Sequence, residues 1–80
     1  MRLDKYLQVS RLIQRRTVAN EACDAGKVSV NGRPAKASYD VKTGDVLELA
    51  FGQRTLKIEV LDVSEHVGKA DAESLYREII

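Results

Sequence analysis

This chain has no tryptophan, and its cysteine, proline, methionine, histidine and phenylalanine occur once each. The single Cys23 cannot close an internal disulfide, and one cysteine with one histidine cannot supply a zinc site. That usage fits a reducing compartment. No apolar run approaches the roughly 18 residues a lipid-spanning helix needs. Near the start, Arg2, Asp4, Lys5, Gln8, Ser10 and Arg11 interrupt any signal-peptide core. A cytoplasmic protein with no membrane partner is expected. Catalytic groups are equally scarce. His66 has no neighbouring nucleophile, Cys23 falls on the apolar side of a predicted helix, and there is no Gly-rich phosphate loop or paired-acid motif. An enzyme is not expected, nor a cofactor or a metal.

What is present is enough for one small domain. A chain of this length buries only about 60% of the surface its unfolded form exposes, which leaves little room for a deep catalytic cavity. With 44% hydrophobic and 31% charged residues, it is too apolar to remain disordered. The net charge of +1 hides a segregation: residues 1–36 hold eight Lys/Arg against three acids, and residues 37–80 hold five against nine. A field divided in this way orients a polyanionic partner towards the N-terminal half.

The apolar spacing sets out an order of elements. Leu3, Tyr6 and Leu7 stand at i, i+3 and i+4, which predicts a short helix over residues 3–12. After a turn at Ile13-Gln14, a second helix is predicted over residues 15–25, with Val18, Ala22 and Ala25 as its apolar stripe and Ala19 and Cys23 beside it. Gly26 is placed to cap it. Val28–Val30 reads as a strand ended by Asn31-Gly32, a strong tight-turn pair. Pro34, lacking an N–H, belongs at an edge or in a loop. Beyond the Gly44-Asp45 turn, residues 46–51 and 54–60 read as two antiparallel strands around Gly52-Gln53. Leu56, Ile58 and Val60 alternate with polar residues, and Phe51 is expected in the core. Ala72, Leu75, Tyr76 and Ile79 suggest a last helix within residues 70–80. The expected fold is α+β: two short N-terminal helices on a small twisted, mostly antiparallel sheet over residues 1–66. Residues 67–80 are expected as a helical tail.

The basic residues break a local rule. Arg15 and Arg16 open the second helix, where the helix dipole disfavours cations by a few tenths of a kcal/mol. Their placement makes sense if a phosphate sits there and accepts both helix N–H groups and guanidinium forks. Arg16 and Asn20 share a face of that helix, with Lys27 three turns further along. Arg33 and Lys36 follow the Asn31-Gly32 turn and could form a second basic edge. Of the four aromatics, only Phe51 is on a predicted strand, so recognition of RNA backbone and shape fits better than stacking of bases on a sheet.

Four blocks in order carry a family resemblance: Arg2 to Leu7 (RLDKYL), the Arg15-Arg16 pair, residues 25–32 (AGKVSVNG) and residues 41–46 (VKTGDV). Over residues 1–51 the chain resembles the RNA-binding domain named after ribosomal protein S4, and among its stand-alone members the heat-shock-protein-15 group with its bacterial ribosome quality-control factors. The resemblance implies RNA contacts from Arg2, Lys5, Arg11, Arg15, Arg16, Lys27, Asn31, Arg33 and Lys36, with Asp4 orienting an arginine. Many members carry a serine N-cap where this chain has Arg15, so the cap bond is expected to be absent. The partners it implies are large-subunit rRNA, peptidyl-tRNA, the stalled large ribosomal subunit and a tail-elongating quality-control protein, with the chain itself a monomer. The function it implies is stabilising that tRNA and supporting C-terminal tailing of nascent chains. The competing reading is a protein-interaction adaptor that docks through its apolar tail, the basic surface serving only solubility.

Overall fold

Two short helices lie on one face of a five-stranded antiparallel sheet in this computed structural model, which describes residues 1–63 and 75–79. The helices are α1 (Leu3–Val9) and α2 (Arg16–Asp24), and the strands are β1 (Val28–Val30), β2 (Arg33–Pro34), β3 (Val46–Phe51), β4 (Arg54–Val60) and β5 (Tyr76–Glu78). Their spatial order is β2-β1-β3-β4-β5. Leu47 faces Ile58 and Leu49 faces Leu56 across the central pair, while Val28 faces Leu49 on the other side.

Period-two alternation turns one face of this sheet inward. Val28, Val30, Leu47, Leu49, Ile58 and Val60 are buried against Leu3, Tyr6 and Leu7 of α1 and Ala19 and Cys23 of α2. The opposite face is polar, as is usual for an antiparallel sheet with one solvated side. It carries the cross-strand pairs Glu48–Lys57 and Glu59–Arg77. Burial pushes the Cys23 thiol up to about 11, with Asp4 and Asp24 adding to it, so the sulfur stays protonated and unreactive.

Three expectations are corrected. The buried face of α2 is Ala19 with Cys23; of the expected stripe Ala22 packs partly against the core, while Val18 is 46% exposed and Ala25 is exposed. The small side chains at 19 and 23 let α1 approach closely, and Arg16 and Asn20 turn towards it as well. Phe51 is 44% exposed. It continues the inward parity of Leu47 and Leu49, but it pairs with Arg54 at the mouth of the hairpin, beyond the end of β1, where no element among the described residues covers it. Where a tail helix was expected, residues 76–78 form β5, an edge strand on β4; residues 70–74 and 80, like the boundary at 66/67, lie outside the described residues. Tertiary hydrogen bonding overrode a local pattern of helical spacing. Leu75 is fully buried, and its carbonyl accepts from the Tyr6 hydroxyl at 2.6 Å and from the Leu61 and Asp62 N–H groups at 2.8 and 3.2 Å.

Candidate nucleic-acid interface

The start of α1 is held by the loop that follows β2. The Leu3 and Asp4 N–H groups donate to the Tyr39 and Ala37 carbonyls at 2.8 and 3.2 Å, Val41 N–H donates to the Met1 carbonyl, and Arg2 makes a β-bridge with Asp40. Asp4 is thereby fixed at the junction of the helices, with only 2% of its surface exposed. Its carboxylate accepts from Arg2 Nε at 3.2 Å, Arg2 Nη2 at 3.4 Å, Asn20 Nδ2 at 3.2 Å and the Lys5 N–H at 2.8 Å, and it pairs with Arg16 Nε at 3.4 Å. Arg2 precedes α1 as its N-cap and Arg16 opens α2, yet one carboxylate aligns both. Their side chains remain 50% and 45% exposed. Each guanidinium therefore has one edge spent on Asp4 and further donors directed outward.

Burial alone would raise the Asp4 pKa. Hydrogen bonds from Arg2, Asn20 and the Lys5 N–H, with the Arg16 charge, outweigh it and hold the carboxyl below its ordinary 3.8. A carboxyl lowered on folding contributes stability that is complete above its unfolded pKa and is lost as pH falls through its folded one. We therefore expect urea-unfolding stability to decline below about pH 5, and Asp4→Asn to remove part of that decline. The exposed Asp40, lowered by the N-terminal amine, titrates in the same window, so the comparison of variant with wild type is what isolates Asp4. Equal acid sensitivity in both proteins would exclude Asp4 as a source.

Arg15 is the N-cap of α2 and makes no side-chain capping bond, as its departure from serine implied. Arg11 lies past the end of α1 in the left-handed region, at φ 66, with its N–H on the Gln8 carbonyl and the Ile13 N–H on the Leu7 carbonyl. Glycine is the usual residue at such a helix stop, and another residue there costs about 1 kcal/mol. An exposed arginine kept at that cost is more easily explained by binding than by folding. Arg11→Gly should hold or raise the melting temperature while lowering RNA affinity; a protein that melts lower and binds RNA as before would reverse that assignment.

A second group surrounds the β1–β2 turn. Asn31 and Gly32 have φ of 52 and 86, as the tight turn requires. The Asn31 side chain is committed on both sides: its oxygen accepts from Val46 N–H at 2.9 Å, and its nitrogen donates to Asp45 at 3.2 Å. Asp45 also accepts from the Tyr39 hydroxyl at 2.9 Å and the Lys42 N–H at 3.0 Å. The bond from Tyr39 to Asp45, ahead of burial, raises the Tyr39 hydroxyl pKa. Arg33 and Lys36 are exposed beside this turn. Tyr39 and Asp45 were not among the residues the sequence singled out; the one signal was a polar residue directly ahead of an apolar strand, in the VKTGDV block.

The structure thus brings Arg2 and Arg16 together, with Arg15 adjoining, and Arg33 and Lys36 together across the 37–40 segment. Lys5 is half-buried on α1. Lys27 does not join either group. It lies beyond the far end of α2, at roughly 1.5 Å of rise per residue from Arg16, and its carbonyl bonds Ala50 near the β3–β4 hairpin. Among the described residues, no group of three His, Cys, Asp or Glu is placed to hold a metal ion, and no helix is long and apolar enough to cross a membrane.

Several known proteins are similar to this chain. The family profile of the S4 domain matches residues 1–47. A protein of Halalkalibacterium halodurans called an RQC P-site tRNA stabilizing factor is 53% identical over 76 residues, 95% of this chain and 86% of that one. Its namesake in Bacillus subtilis is 50% identical, covering 95% and 88%. Among solved structures, the trimeric heat shock protein 15 of Vibrio cholerae superposes with a TM-score of 0.91 at 35% identity, over 99% of this chain and 81% of that one. On both sequence and fold, the chain belongs to the S4 domain family.

Proposed function

We propose that this chain is a non-catalytic RNA-binding factor that holds a P-site tRNA on the large ribosomal subunit. One observation carries the reading: two arginines, one at the N-cap of α1 and one in the first turn of α2, are aligned by a single buried carboxylate and remain half-exposed to solvent. Held in place on one side and open to solvent on the other, both guanidinium groups are available to phosphate oxygens. The names of the Halalkalibacterium and Bacillus relatives supply the tRNA and its site. Arg2, Lys5, Arg11, Arg15, Arg16, Lys27, Arg33 and Lys36 serve as phosphate contacts in this reading, and Asn31 holds the turn that presents the last two. The finer picture is a stalled large subunit carrying peptidyl-tRNA, whose tRNA is retained while a partner protein elongates the nascent C-terminus in the cytoplasm.

The adaptor reading loses its docking surface within the described residues, because Leu75 is buried and Tyr76 packs on the core. Bridging between rRNA and tRNA predicts tighter binding to large subunits carrying peptidyl-tRNA than to empty ones. With about four to six phosphates engaged, the log–log salt slope should be roughly −3 to −5. Equal affinity for both particles would contradict bridging, and a flat salt response would contradict phosphate contact altogether.

A further inference from the structure

Between β2 and the loop that follows it, the surface opens into a cleft of about 690 Å³ whose lining includes Asn31, Arg33, Pro34, Ala35, Lys36 and Tyr39. Three features separate it from a chance depression. Its walls are fixed, because the buried Asp45 ties Tyr39 by its hydroxyl and Asn31 by its amide, and the Ala35 N–H is bonded to the Val28 carbonyl. Its lining mixes an aromatic ring and small apolar groups with two exposed cations, Arg33 and Lys36, neither of which is ion-paired among the described residues. And its floor is continuous with the arginine pair: the Ala37 and Tyr39 carbonyls that cap α1 belong to the segment that closes the cleft.

We propose that this cleft takes one unpaired nucleotide of a bound RNA, with the base against the Pro34 and Tyr39 side and the flanking phosphates on Arg33 and Lys36. The inference rests on the RNA-binding reading and adds to it a place where an extruded base is read. A preformed aromatic wall suits this task, because stacking rewards any base whose plane can reach it and the site is already ordered before binding. Arg2 and Arg16 then hold paired backbone on the other side of the 37–40 segment. Shape recognition by the arginines and capture of a single base by the cleft are separate contributions.

The test follows backbone amide and tyrosine ring NMR signals of the full chain with three probes: an RNA hairpin bearing one bulged adenosine, the same hairpin without the bulge, and adenosine monophosphate. The bulged hairpin should shift residues 33–39 and bind about tenfold tighter than its paired counterpart, the lower range of what one stacked base contributes. The paired hairpin should shift residues around Arg2 and Arg16, with the 37–40 segment bonded to them, and leave 33–36 and the Tyr39 ring in place. Adenosine monophosphate should move 33–39 only at millimolar concentration. Arg33→Ala with Lys36→Ala, both on the exposed rim, should erase the preference for the bulge while the fold, read by the remaining amides, is unchanged. Equal affinity for the two hairpins, or no movement at 33–39 with any probe, overturns the cleft inference. Tighter binding of the free nucleotide than of the bulged hairpin overturns the RNA as its source. Shifts near Arg2 and Arg16 with silence at 33–36 and at the Tyr39 ring leave the RNA-binding reading intact and the cleft inference refuted; movement at 33–36 and the Tyr39 ring with silence at the arginines does the converse.

Discussion

Substituting Arg2 and Arg16 together by alanine should weaken large-subunit binding by roughly 25- to 60-fold near 0.1 M salt, and each alone by about 5- to 8-fold. The magnitude follows from counterion release, since each phosphate left without its cation takes about 0.7 to 0.9 from the log–log slope. The slope of the double variant should be shallower by about 1.4 to 1.8. Stability should respond much less. In either single variant the Asp4 carboxylate keeps the Asn20 and Lys5 N–H donors and the other arginine, so it stays charged and hydrogen-bonded. Lysine at either position should restore only part of the affinity, because it keeps the charge but not the fork. Sedimentation with large subunits across a salt series, beside a thermal melt, separates the two effects. Unchanged slopes in the double variant would remove both arginines from the interface.

The largest loss of stability should come from Leu75→Ala. Leu75 is fully buried, and truncating such a side chain costs about 2 to 5 kcal/mol. A domain this small has only a few kcal/mol in hand, and each kcal/mol shifts the melting midpoint by roughly 4 to 8 °C. A fall of at least about 10 °C is expected on that scale. Calorimetry would show it directly, and a midpoint within about 2 °C of wild type would mean that the segment is only loosely attached. The backbone bonds to the Leu75 carbonyl survive this substitution, so the deficit reports side-chain packing. Removing the segment outright would also strip the Tyr6 hydroxyl of its acceptor and β4 of its outer partner.

Strands β1, β3 and β4 were legible because their signal is local and repeated, whereas β2 and β5 were not. Leu47 and Leu49, and then Leu56, Ile58 and Val60, alternate with polar neighbours, and the turn residues between them leave few ways to pair. Helix existence was legible too, but not the packed face of α2, since its alanines mark two candidate stripes and only the approach of α1 selects between them. The tail misled for a related reason. Leu75, Tyr76 and Ile79 satisfy helical spacing, while the bonds that make 76–78 a strand come from β4, sixteen or more residues earlier. Among the candidate RNA-binding residues, charge and motif pointed to Arg2 and Arg16, and the Arg16–Asn20 spacing anticipated a shared face. The Arg2–Asp4 contact is local, two residues apart, and the family resemblance implied that Asp4 orients an arginine; that Arg16 and Asn20 should converge on the same carboxylate, and that Asn31 should be occupied by Asp45 and Val46, depends on groups 12 to 16 residues apart, which no local pattern contains.

The central claim is that the protein prolongs the residence of tRNA on the large subunit. The direct measurement is the rate at which labelled peptidyl-tRNA leaves isolated large subunits, with and without a saturating amount of the chain. Wild-type protein should slow release, the Arg2→Ala, Arg16→Ala variant should slow it far less at the same concentration, and raising the salt should erase the difference. Release at the same rate with and without bound wild-type protein would contradict the claim.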